Sequence, residues 1–167
     1  MPTLVSGALT VLADRGIVPS VFSEEKNKEL DKSKWENGEW NLEPDDIKWT
    51  DPETQFPCWI RRNQFGALCG YVGVPKGHPY FEKDGEAFAV SIHGGITFSD
   101  YMKKYNHWWL GFDCAHHNDL TPQFSALASD IGTYKNISYV INNILALVEF
   151  FKPENILENK IIGKENW

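Results

Sequence analysis

The sequence predicts an α+β fold: an antiparallel sheet of about four or more strands, a long C-terminal helix packed on one face, and a mostly helical or irregular N-terminal region. Three observations carry this expectation. Four runs between residues 57 and 113 are rich in β-branched and aromatic side chains and are separated by turn-forming glycine and proline. Residues 137–151 repeat apolar side chains at helical spacing. The first 55 residues are instead dominated by charge and are interrupted by Pro44 and Pro52.

In chain order, residues 4–13 are expected to form a short helix. A second is expected over 21–34, where Val21, Phe22 and Leu30 are the only apolar points among lysines and glutamates. Residues 35–55 read as a long irregular connection that Trp35, Trp40 and Trp49 pin to the body. Strands are expected over 57–62, 67–74, 88–98 and 107–113, joined as a meander. Gly66, the turn from Pro75 to Pro79, Gly85 and residues 99–106 break them. The helix over 137–151 places Ile137, Val140, Ile141, Ile144, Leu147, Val148 and Phe151 on one face. Asn136 is available as its N-cap, and Pro153 stops it. Residues 154–161 are expected to add a short terminal helix. The whole of 1–167 reads as one domain: an extension over 1–55, a sheet-plus-helix body over 56–151 and a tail over 152–167.

Composition narrows the function classes. A chain of 167 residues can bury a core without disulfide or metal staples, and seven tryptophans make that core aromatic-rich. A net charge of −7 and a pI near 5.2 exclude broad, sequence-independent nucleic-acid binding, which needs a basic face. The acids between residues 24 and 53 are interleaved with lysines and read as solvated surface. Cys58, Cys69 and Cys114 are odd in number and lack a C-x-x-C pair, so neither a disulfide framework nor a thiolate zinc site is expected. No apolar run reaches membrane-spanning length, and residues 1–12 lack the basic start of a secretory signal. The expectation is a cytoplasmic protein without membrane association.

The densest chemistry lies in His93-Gly94-Gly95-Ile96-Thr97-Phe98-Ser99 and in Trp108-Trp109-Leu110-Gly111-Phe112-Asp113-Cys114-Ala115-His116-His117-Asn118-Asp119. The glycine pair inside a strand-like run implies a bulge, which either only bends the sheet or admits a ligand. Asp113 and His116 are three apart, as are His116 and Asp119, so a helical turn at the strand end would bring them to one face. Together with His93 they offer metal ligands, an acid–base pair, or readers of a nucleobase or ribose edge. The plainer alternative is that Asp113 caps a turn while the histidines sit in solvent. Lys76 and His78 lie on a proline–glycine turn and either meet an anion or serve the turn alone. Arg61 and Arg62 must face opposite sides of a strand, so one can enter a site. Trp108 and Trp109 split in the same way, one indole joining the core. Cys114 reads as a buried, inert thiol rather than a nucleophile.

Cys69-Gly70-Tyr71-Val72-Gly73-Val74-Pro75 with Gly77-His78-Pro79, followed by the two runs above, resembles a family of small hypothetical proteins encoded by bacteriophages and bacteria. The resemblance covers residues 57–150. It implies an intracellular, phage-type protein, resident in the host cytoplasm if phage-encoded, and brings no activity with it.

For a phage-type protein the leading expectation is sequestration of a small phosphorylated, nucleotide-like ligand in counter-defence, as a homo-oligomer and without a cofactor. His93, Gly94, Gly95 and Thr97 would form one wall, and Asp113, His116 and Asp119 would read polar groups. Lys76, His78 or Arg61 would meet phosphate, Trp109 would stack, and Tyr71 completes the set. An alternative is a metal-dependent hydrolase of phosphodiesters, in which His93, Asp113, His116 and Asp119 hold a divalent ion that activates water. A third is a protein inhibitor that docks on a host enzyme through exposed tryptophans.

Overall fold

The computed structural model describes residues 7–126 and 132–156. Strands β1 (Phe22–Glu25), β2 (Asp46–Thr50), β3 (Pro57–Arg62), β4 (Leu68–Val74), β5 (Phe98–Met102) and β6 (His107–Asp113) form one antiparallel sheet in the order β1-β2-β3-β4-β6-β5. Helix α1 (Ala8–Asp14) precedes the sheet, and helix α2 (Ile137–Phe150) packs across one face of it. The α+β class and the C-terminal helix on the sheet are as the sequence predicts. No helix of the described residues is long and apolar enough to cross a membrane.

Alternation along the strands sorts the two faces. Ile47, Ile60, Leu68, Val72, Leu110 and Phe112 point toward α2 and meet its Val140, Ile141, Ile144 and Leu147, all wholly or almost wholly buried. Burying each such side chain is worth about 1.5–3 kcal/mol. Gly70 makes room in this layer, since a Cβ there would lie 2.7 Å from the Phe112 ring and 3.0 Å from Ile144. The opposite face carries an aromatic layer in which Trp59 and Trp109 lie 5.9 Å apart, with Tyr105 and Tyr71 beside them. The N-cap of α2 is the expected Asn136, whose Oδ1 accepts from the Tyr139 amide at 2.9 Å.

Four expectations need correction. Residues 21–34 are not helical: Phe22 to Glu25 pair with β2, and Asn27 and Asp31 then accept from the amides two residues on. Those side-chain bonds compete with helix for the same backbone donors. The connection over 35–55 is not wholly irregular, because Asp46–Thr50 alternates buried and half-buried and joins the sheet between β1 and β3. The strand over 88–98 does not form. Gly94 and Gly95 both have positive φ, at 69° and 74°, and close a turn through Gly95 N–H to Ile92 O, so there is no bulge in a strand. The ladder begins only at Phe98 and runs on through residues expected to be loop. Consequently the strands are not a simple meander, since β6 inserts between β4 and β5. The helix expected over 4–13 begins at Ala8, and of that expected over 154–161 the described part, with Pro153 before it, is helical at 153–156; the remainder of the latter lies outside the described residues, as do residues 4–6.

Candidate functional site

The N-terminal half of α2 and two loops build the densest polar cluster outside the core. Asp119 stands at its centre with a side chain only 1% exposed. Its loop leaves β6 and closes on itself: the His116 amide donates to Asp119 Oδ2 at 2.9 Å, and the Asp119 amide donates to His116 O at 2.9 Å. Thr133 clamps the loop from outside, donating to Asn118 O at 3.0 Å and accepting from Leu120 at 3.1 Å. Such closure holds a carboxylate in place before any ligand arrives.

His93 enters from the glycine turn. Its Nε2 lies 2.7 Å from Asp119 Oδ2, its Nδ1 lies 2.7 Å from the Tyr139 hydroxyl, and its amide donates to Asn143 Oδ1 at 2.8 Å. Tyr139 and Asn143, one turn apart on α2, are further joined by Asn143 Nδ2 donating to Tyr139 O at 2.9 Å. One ring nitrogen of His93 is thus oriented by a hydroxyl while the other addresses the carboxylate. His116 completes the group, its Nδ1 being 3.4 Å from Asp119 Oδ2 and 3.7 Å from Asp113 Oδ1. Its ring lies against Gly94, where a Cβ would come within 2.5 Å of Cε1. Thr97 holds Asp113 from the other side, donating to Oδ2 at 3.2 Å.

Electrostatics favour an ionised Asp119. Burial pushes its carboxyl up, but hydrogen bonds from His93 and the His116 amide, with Lys135 nearby, outweigh burial and hold it below the usual carboxylate range. Oδ1 takes no hydrogen bond among the described residues, yet lies 3.2 Å from Lys135 Nζ, so its contact is an ion pair out of line for hydrogen bonding. Cys114 is buried beneath the loop, and burial raises its thiol well above the ordinary value, which keeps it protonated.

His93, Gly94, Thr97, Asp113, His116 and Asp119 are therefore brought together, and Gly95 belongs to the same turn. Lys76 and His78 are not. His78 binds the Phe151 carbonyl at 2.8 Å, twelve positions along α2 from Tyr139, or about 18 Å at 1.5 Å per residue. Trp109 is buried in the aromatic layer on the other face, where Tyr71 crosses over Gly111. Arg61 is exposed on that same face above Trp59, while Arg62 is buried among carboxylates. Sequence reading missed Lys135, Tyr139 and Asn143. Their only local signal is that Tyr139 and Asn143 are polar positions four apart on α2, and so neighbours on its surface.

One nitrogen or oxygen from each of His93, His116 and Asp119 falls within 4.8 Å of the other two, which makes the trio a candidate cation-binding set. No family model, curated protein or solved structure matches the chain.

Proposed function

We propose that His93, His116 and Asp119 form a divalent transition-metal centre of a hydrolase. The observation that carries this reading is the convergence of two imidazoles and one carboxylate, with ligand atoms within 4.8 Å of one another, on a carboxylate already sequestered from water. Two nitrogens and one oxygen suit zinc or a neighbouring transition metal and leave coordination positions open. When bound, the ion would lower the pKa of a coordinated water to about 7, supplying hydroxide at neutral pH.

The chain's own groups fit supporting roles. The Tyr139 hydroxyl faces His93 Nδ1, so it can accept from that nitrogen once Nε2 gives up its proton, which orients the ring and fixes its tautomer. Lys135 engages Asp119 Oδ1 and leaves Oδ2 to face both histidines. His116 is 40% exposed, which leaves the open side of the cluster toward solvent and substrate. Asp113 lies beside His116 and is placed to steer its ring or to accept a proton from water.

Metal-free sequestration of a phosphorylated ligand draws less support, because Lys76 and His78 stand at the far end of α2 from the cluster. Docking through exposed indoles draws less still, with Trp40, Trp49, Trp59 and Trp109 buried. Calorimetric titration of the full chain with zinc is expected to show one ion per chain. His93→Ala and Asp119→Asn should each weaken binding by more than the roughly 10–100-fold that loss of an outer-shell partner costs, while circular dichroism stays unchanged. Failure of zinc, cobalt and manganese alike to saturate the protein would remove the reading.

A further inference from the structure

We infer that the substrate of this centre is a nucleotide-type phosphoester, its phosphate held between the metal centre and Arg61 and its base placed on the aromatic pair Phe65 and Phe124. The inference rests on the metal-centre reading and adds the substrate class to it.

Three observations meet here. The first is continuity. Register pairs run Arg61↔Cys69↔Asp113 across β3, β4 and β6, so Arg61 and Asp113 sit two strands apart, about 10 Å between Cα atoms. Asp113 is in turn 3.7 Å from His116. A groove of about 410 Å³ opens on the β3–β4 side of this row, lined by Arg61, Asn63, Gln64, Phe65, Cys69 and Tyr71 and reaching as far as Cys69, the register partner of Asp113; it is of a size to take a mononucleotide.

The second is charge. Arg61 makes no ion pair within 4 Å among the described residues and lies 5.6 Å over the Trp59 ring, an exposed fork of donors on a protein of net charge −7. A guanidinium so placed matches a phosphate in two-point geometry and gives a neutral ester nothing to pair with.

The third is an aromatic platform that the fold keeps in water. Phe65 and Phe124 are 41% and 49% exposed, yet their rings stack at 5.9 Å with 27° between planes. The Gln123 amide donates to Phe65 O at 2.9 Å, and Gly66 at φ +90° lets Pro122 press on the hairpin turn, where a Cβ would clash at 2.6 Å. The segment after β6 that presents Phe124 is the one that carries His116 and Asp119. An exposed ring pair beside a cation suits a base, whose stacking on an aromatic side chain is worth about 1–3 kcal/mol.

Zinc-loaded full-length protein should hydrolyse the p-nitrophenyl ester of thymidine 5′-phosphate with a higher kcat/KM than p-nitrophenyl acetate. Arg61→Met should raise KM for the thymidine ester by about tenfold or more, with acetate hydrolysis and zinc affinity unchanged. Phe65→Ser should raise it by a smaller factor. Preference for acetate, or an unchanged KM in Arg61→Met while zinc remains bound, would overturn the substrate class and leave the metal centre standing. Should zinc not bind at all, titration of the metal-free protein with adenosine 5′-monophosphate decides the substrate class alone: saturable binding weakened in Arg61→Met supports it, and no binding refutes it.

Discussion

Two clusters of charge flank the start of α2, and they are built to opposite ends. Around Arg62 every donor is used: Nε donates to Asp45 Oδ1 at 2.7 Å, one terminal nitrogen to Gly66 O at 2.8 Å and the Tyr134 hydroxyl at 2.7 Å, the other to Pro44 O at 3.2 Å and Glu43 Oε1 at 3.4 Å. Asp45 Oδ2 takes the Asn27 amide and Lys32, and Glu43 Oε2 takes the first free amide of α2, that of Ile137. The Arg62 and Asp45 side chains have no exposed surface. Around Asp119, by contrast, the His116 imidazole stays exposed and the carboxylate Oδ1 meets the Lys135 ammonium as an ion pair without a hydrogen bond among the described residues. A saturated, sealed network ties Asn27, Lys32 and residues 43–45 to the sheet and the helix. An unsaturated one with an opening is where a ligand can complete the bonding.

The sharpest way to break this contrast is Arg62→Met. Removing the cation strands two buried carboxylates, and the expected loss is about 3–5 kcal/mol in urea unfolding. A loss below about 1 kcal/mol would mean that water already reaches Glu43 and Asp45, and the sealed character would be gone. Next comes Gly94→Ala compared with Gly95→Ala. Both positions need positive φ, so each should cost about 1–2 kcal/mol in strain. Only at Gly94 does the new methyl strike His116, so only Gly94→Ala should also weaken zinc binding. Equal effects on zinc would show that His116 is not seated against the turn.

The smallest expected effect concerns His78, whose two ring nitrogens are both engaged by backbone, Nε2–H donating to Phe151 O and Nδ1 accepting from the Tyr80 amide. Burial lowers its pKa, against the opposing pull of the Phe151 carbonyl. The unfolded chain, titrating near 6.5, then binds more protons than the folded one just below that value. This contribution to stability is complete above about pH 6.5 and diminishes as pH falls from there toward the folded pKa. Unfolding midpoints between pH 7 and pH 5 should therefore decline less steeply in His78→Gln; an unchanged slope would assign the decline to other groups.

Legibility differed by residue for physical reasons. Ile137, Val140, Ile141, Ile144 and Leu147 announce α2 because helical periodicity is a local property. Asp113, His116 and Asp119 announce a polar turn because they are neighbours in sequence. Phe22 to Glu25 and Asp46 to Thr50 were not read as strands because β pairing is a contract with a partner segment, and short strands bearing charged residues carry little pattern of their own. Lys135, Tyr139 and Asn143 were missed because nothing local marks a helix position as facing His93.

By itself, then, the sequence determined the α+β class, the C-terminal helix with its cap, and the clustering of titratable side chains between residues 93 and 119. These follow from composition and near-neighbour spacing, which act before the chain folds. Only the tertiary structure decided that Phe22–Glu25 and Asp46–Thr50 join the sheet, that His93 meets Asp119 while His78 does not, and that Arg62 is sealed while Arg61 is exposed. Those outcomes depend on which distant segments share a hydrogen-bond ladder or a helix face, and that is set by long-range packing.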